Sequence, residues 1–288
     1  MLPSGLGNLI TYNPWAVAAD TSLLDLARLL REHHFHHWPV VNCERQLVGV
    51  LSHIDIIQAL QARSLALTTI GLARESESED DCTAGETTAG DIMMPRVVTI
   101  APTGSPRDAL RLLLDHHIHS LPVVEAGKLV GIVTSSDFLR ELSYGELAGG
   151  REPVSTHLQT TTEPVEPDAT LEEALLSMHL AGTQYIAVAK DGFPLGVISR
   201  REIATAQCRL EARAAEWSEY LGEGPTTLSE LVHRSPTLRP AQKLSEAAAL
   251  LVERQLCAAP VVNQANRLLG IISEDDLLRA ILGQLTAR

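Results

Sequence analysis

One pattern, written four times, constrains this chain more than any other feature. Pro39-Val-Val-Asn leads to Gly49-Val-Leu-Ser52-His-Ile-Asp55, and Pro122-Val-Val-Glu leads to Gly131-Ile-Val-Thr134-Ser-Ser-Asp137. Ala187-Val-Ala-Lys leads in the same way to Gly196-Val-Ile-Ser199-Arg-Arg-Glu202, and Pro260-Val-Val-Asn to Gly270-Ile-Ile-Ser273-Glu-Asp-Asp276. The acidic anchors Asp55, Asp137, Glu202 and Asp276 lie 82, 65 and 74 residues apart. A constant unit of about 50 residues at unequal spacing means separate copies joined by variable linkers, not a continuous solenoid.

Each copy predicts the same elements. A helix opens at Ser22-Leu-Leu-Asp25, Ser105-Pro-Arg-Asp108, Thr170-Leu-Glu-Glu173 and Lys243-Leu-Ser-Glu246. Three of these have the form of a capping box, and Pro106 occupies a first-turn position that needs no N–H. Apolar residues then recur at helical spacing, as in Leu110, Leu113, Leu114 and Ile118. A short β-branched run, a turn and a second apolar strand follow. Ser/Thr-x-x-Asp/Glu then opens another helix. The unit reads β-α-β-β-α, an α/β (α+β) class. A core this small is marginal alone, so the copies should pair.

Composition removes several function classes. The net charge of −13 leaves no basic stripe for nucleic-acid phosphates, and 3% aromatic residues are too few for base-stacking platforms. No apolar run approaches the roughly 18 residues of a membrane span. The N-terminus carries neither a basic region nor a long apolar stretch, so no secretory signal is expected. Cys43, Cys82, Cys208 and Cys257 form no CxxC pair, which argues for reduced thiols in a cytoplasmic protein over a zinc ribbon or disulfide scaffold. There is no P-loop, GxSxG or HExxH, and no catalytic residue is assigned.

The φ-Pro-Val-Val run, the nine- or ten-residue step to Gly and the φ-φ-Ser/Thr-x-x-Asp run together resemble the cystathionine beta-synthase (CBS) domain. The resemblance covers nearly the whole chain, in four copies. It implies pairing into two Bateman modules. Residues 1–147 would form the first, with repeats at about 8–62 and 90–143. Residues 148–288 would form the second, with repeats at about 153–206 and 228–283. The boundary falls within Gly145–Pro153, where Gly149-Gly150 breaks any helix. The acidic linker from Arg74 to Glu86 reads as a solvated excursion, with a regulatory or partner-binding loop as the other reading. Ile203 to Leu221 reads as an extended helix.

A nucleotide site needs an acceptor for ribose hydroxyls, donors for phosphate and an apolar slot for the base. Ser/Thr-x-x-Asp is by itself an N-cap; the resemblance turns Asp55, Asp137 and Asp276 toward ribose binding, beside the hydroxyls of Ser52, Thr134 and Ser273 and helix-N-terminal amides. Glu202 departs from that pattern, and its longer side chain is expected to fit ribose poorly. The family also uses a Thr on the strand opening each unit. Thr99 and Thr237 stand there in repeats two and four, whereas Ala16 and Pro164 replace it in the other two. Repeats two and four are thus expected to be fully equipped.

His36 and His119 hold equivalent places three residues before the strand proline. In CBS proteins resembling the gamma subunit of AMP-activated protein kinase, a His or Arg here reaches the phosphates, which suits His36, His37 and His119. Water-exposed helix-end histidines are the plainer reading, and a metal site lacks nearby ligands to complete it. The equivalent places in the other module, Gln184-Tyr185 and Cys257-Ala258, carry no positive charge. There Arg200 and Arg201 are the alternative phosphate donors, while Glu274 and Asp275 would repel a polyphosphate.

The expectation is a stand-alone, non-enzymatic regulatory protein that binds AMP, ADP or ATP between paired repeats and forms a homodimer. With no attached domain expected, its unknown target would be another polypeptide. The alternatives are a structural adaptor with vestigial sites, and a metal or redox sensor using the histidine runs.

Overall fold

The computed structural model describes residues 5–32, 37–60, 62, 87–144, 148–160, 163–212, 227–232 and 234–286. The acidic linker from Arg74 to Glu86, residue His36, and the expected helix beyond Ala212 lie outside the described residues.

Each repeat folds alike. Repeat one has β2 (Val17–Ala18), α1 (Leu23–Glu32), β3 (His37–Val41), β4 (Leu47–Ser52) and α2 (residues 53–60), preceded by β1 (Thr11–Tyr12). Repeat two follows the short helix α3 (Ala89–Ile92) with α4 (Pro106–Asp115), β5 (Ser120–Glu125), β6 (Lys128–Thr134) and α5 (Ser135–Ser143). Repeat three has α6 (Leu171–Ala181), β7 (Tyr185–Lys190), β8 (Phe193–Ser199) and α7 (Arg200–Ala212). Repeat four has α8 (Leu228–Leu231), α9 (Leu244–Arg254), β9 (Ala258–Val262), β10 (Leu268–Ser273) and α10 (Glu274–Thr286). The first strand of each unit shrinks to a parallel bridge onto the next. These bridges are Val17 to Val40, Ile100 to Val123, Val165 to Val188 and Leu238 to Val261, each spanning 23 residues. The class is α+β, with small separate sheets.

The glycine of the repeat has a physical cause. β1 crosses from repeat one and pairs antiparallel with β6, placing Tyr12 opposite Gly131. A Cβ at Gly131 would overlap the Ile10 side chain. Met94 of repeat two crosses back onto Val50, where Gly49 makes room for Met93 and Met94. Gln159 pairs in the same way with Ile271 beside Gly270, and Ser235 donates its amide to the Leu195 carbonyl. Exchanged segments thus interlock repeat one with repeat two, and repeat three with repeat four.

Helices complete the arrangement. α5 packs on α9, and α10 on α4 and α5. One core therefore runs through repeats two and four, with Leu110, Leu113, Phe138 and Leu142 meeting Ala247, Leu251, Leu278 and Ile281. Repeats one and three keep cores of their own, around Trp38 and Met178 respectively. They meet where His53 Nε2 lies 2.5 Å from Thr205 Oγ1. That hydroxyl already donates to the Arg201 carbonyl, so His53 donates and carries its proton on Nε2. No helix among the described residues is long and apolar enough to cross a membrane.

Candidate functional site

The second helix of every repeat is capped by the motif that opens it. Ser52 donates its amide and hydroxyl to Asp55 Oδ2, both at 2.7 Å. Thr134 does the same to Asp137 Oδ2 (2.8 and 2.6 Å), Ser199 to Glu202 Oε2 (2.7 and 2.6 Å) and Ser273 to Asp276 Oδ2 (2.8 and 2.6 Å). These are reciprocal capping boxes. The extra methylene of Glu202 leaves the cap intact.

What distinguishes the four carboxylates is their second oxygen. Asp137 Oδ1 accepts from Arg140 at 3.1 Å. Asp276 is buried, and its Oδ1 accepts from Gln159 Nε2 at 2.6 Å with Arg279 at 3.5 Å, so it has no oxygen left for a ribose. The second oxygens of Asp55 and Glu202 have no hydrogen-bond partner among the described residues. Thr99 and Thr237 are both exposed and line neither of the clefts described below.

The clefts lie elsewhere, and the repeat explains where. The first helix of repeats two, three and four ends on a left-handed residue at equivalent positions, His117 (φ 51°), Gly182 (φ 62°) and Gln255 (φ 53°). Two residues further come His119, Gln184 and Cys257. Their carbonyls each accept from the first amide of the following second helix, at 3.0 Å from Ser135, 2.8 Å from Arg200 and 2.8 Å from Glu274. This shared hydrogen bond brings the pre-strand residue and the helix start together. All three pre-strand residues line one small open-sided cleft, with His117, Tyr185, Ser199, Arg201, Glu274 and Asp275. A second small cleft shares Tyr185, Ser199 and Cys257 and adds Val197, Glu202, Gln255, Leu256 and Ala258.

His119 and Arg201, assigned from sequence to different modules, therefore face one space. His37 is half-buried at the start of β3 and lines neither cleft; His36 lies outside the described residues. Arg200 is half-buried, and its Nε is sealed from water without a hydrogen-bond partner among the described residues.

The cleft is electrostatically mixed. Glu274 is buried, with Oε1 2.8 Å from His119 Nδ1 and 3.4 Å from the Tyr185 hydroxyl that donates to it. The His119 contact is close but lies off the hydrogen-bond line, so Nδ1 has no directed hydrogen-bond partner among the described residues. Burial, then the charge of Glu274, pushes the Tyr185 hydroxyl far above its ordinary pKa and keeps it a donor. Burial, then Glu274, likewise pushes the Cys257 thiol up to about 12, against the pull of Arg201, whose Nη2 donates to Sγ at 3.6 Å. Burial raises the Asp275 carboxyl first, with Glu274 adding to it and His119 opposing. Among the described residues no three of His, Cys, Asp and Glu converge as a metal site.

The sequence marks the charged residues here but not their meeting, nor that Glu202 keeps the helix cap with one oxygen to spare. The available signal was positional: residues equivalent across the repeats converge.

The CBS domain family matches residues 6–62, 89–144, 158–209 and 228–283. Protein MJ1225 of Methanocaldococcus jannaschii is 21% identical over 273 residues, 91% of this chain and 93% of its own. Protein MJ1426 of the same organism is 31% identical over 148 residues, 46% of this chain and 88% of its own. The crystal structure of MJ1225, described as a candidate archaeal homologue of gamma-AMPK, gives a TM-score of 0.69 at 19% identity, covering 96% of this chain and 99% of that one. At that identity the likeness is one of fold.

Proposed function

We propose, from the premise that this chain belongs to the CBS domain family, that it is a non-catalytic sensor of adenine nucleotides. The observation that carries this reading is the pair of adjoining clefts that runs from Ser199 and Glu202 to Arg201 and His119. Glu202 offers a carboxylate oxygen for ribose hydroxyls, and Val197, Leu256 and Ala258 supply an apolar wall for the base. Arg201 supplies charge for phosphate, with the His119 ring and the Tyr185 hydroxyl as further donors. Glu274 and Asp275 stand at the same end and repel a longer phosphate chain, so AMP is the preferred ligand over ATP.

Because His119 comes from repeat two and Arg201 from repeat three, a phosphate held by both favours one arrangement of modules 1–147 and 148–288. Differential affinity for that arrangement is the signal. A homodimer was expected because helix faces between modules need cover. α4, α5, α9 and α10 supply that cover within one chain, and we propose a single-chain assembly in its place. Its setting is the cytoplasm.

The test is calorimetric titration of AMP and ATP into wild type, Arg201→Ala and Asp137→Ala. Loss of one charged hydrogen-bond donor costs about 1.5–3 kcal/mol, at least tenfold in Kd. The expected result is that loss for Arg201→Ala alone, with ATP weaker than AMP. Loss in Asp137→Ala alone would move the site to repeat two, and absence of binding by any adenine nucleotide would overturn the reading in favour of a structural adaptor.

A further inference from the structure

The fourfold repeat supplies an internal standard for what each helix position should carry, and α6 departs from it. Leu176 and Leu180 are 58% and 78% exposed and belong to no core. The positions equivalent to Leu176 are Arg28, Arg111 and Ala249. Those equivalent to Leu180 are Glu32, Asp115 and Glu253. All but Ala249 are charged and exposed. Arg111 and Asp115 are exposed although α4 packs on α10. This helix face therefore points to solvent even where a first helix packs against the other module, and cover from within the chain does not account for leucine here. Leu176 and Leu180 are one helical turn apart and form a continuous stripe.

Charge decides what fits. From Glu152 to Ala189 the chain has six carboxylates and no Lys or Arg. Five of them, Glu163, Glu166, Asp168, Glu172 and Glu173, are exposed in the segment before α6 and in its first turn. A second copy of this chain fits poorly. Antiparallel pairing of two α6 helices would set Glu172 and Glu173 against the negative C-terminal end of the other helix, between bodies of net charge −13. A cationic surface complements the rim.

We propose that the solvent face of α6 docks a basic amphipathic helix of a partner protein. Its apolar side lies on Leu176 and Leu180, and its Lys and Arg residues face the acids at 163–173. This site is independent of the nucleotide cleft and stands whether or not AMP binds.

The test uses a fluorescein-labelled 14-residue peptide of Leu and Lys in amphipathic helical order, with a Leu/Glu peptide of the same pattern as control. Anisotropy is measured against the full chain at 150 mM salt, with wild type, Leu176→Ser/Leu180→Ser and Glu172→Lys. The double variant keeps every charge, so a purely electrostatic attraction would not change with it. The expected result is at least fivefold weaker binding of the Leu/Lys peptide to both variants, with no binding of the Leu/Glu peptide. Thermal unfolding of the double variant should match wild type, since neither leucine is in a core. Equal binding to wild type and double variant, or none to wild type, overturns the proposal. So does light scattering that finds a dimer of wild type abolished in the double variant, which would assign the stripe to self-association.

Discussion

Gly270→Ala probes the segment exchange that interlocks repeats three and four. A Cβ at this position would overlap the Gln159 carbonyl oxygen, and would lie 3.0 Å from its carbonyl carbon and 3.1 Å from Leu158 Cδ1. Two of those three atoms are backbone and cannot rotate away, so the crossing segment must lift. Lifting breaks the reciprocal hydrogen bonds between Gln159 and Ile271, both 3.0 Å, and withdraws Gln159 Nε2 from the buried Asp276 Oδ1 at 2.6 Å. Two backbone bonds at about 1 kcal/mol each and one bond to a charged group at about 1.5–3 kcal/mol set the loss at about 3.5–5 kcal/mol. Urea unfolding followed by circular dichroism measures it. Gly283→Ala in the same helix–sheet unit serves as the control, because a Cβ there meets nothing and alanine favours a helix by up to about 1 kcal/mol. A loss below about 1 kcal/mol for Gly270→Ala would show that the crossing segment does not depend on the glycine.

Phe138→Ala empties a fully buried position in the core shared by repeats two and four, and should cost about 3–5 kcal/mol in the same unfolding assay. Asp275→Asn should raise the melting temperature at pH 7. Burial holds the Asp275 pKa above its unfolded value, so the native state binds that proton more strongly and its ionisation destabilises the fold as pH rises through the carboxylate range. The gain should vanish near pH 4, and a gain independent of pH would refute the cause. With Cys82 and Cys208 replaced by Ser, a thiol reagent at pH 8 should label exposed Cys43 rapidly and Cys257, whose thiol is held at about 12, far more slowly; equal rates would contradict its burial. Light scattering at micromolar concentration should return 31.2 kDa, the mass of one chain, and twice that mass would refute the single-chain assembly.

The architecture was legible in the chain because it rests on local rules repeated four times. Capping residues, a first-turn proline, apolar periodicity and β-branched hairpins each act within a few residues, so Ser105-Pro-Arg-Asp108 marks its helix without reference to the rest of the molecule. The acidic anchors, the unequal modules and the charged candidates could be named for the same reason. The partners of those candidates could not. Asp276 and Asp137 look alike in sequence, yet Gln159, 117 residues away, takes the remaining oxygen of one and local Arg140 that of the other. At Glu202 the longer side chain still closes the cap with Ser199, and its second oxygen has no partner among the described residues. His119 and Arg201 were assigned to different modules, and it is the packing of repeat two on repeat four that brings them to one cleft. Local preferences set which residues start each helix and strand. Which charges then face each other depends on contacts between segments far apart in the chain, and it is burial in that cleft, modulated by those charges, that raises Tyr185, Cys257 and Asp275.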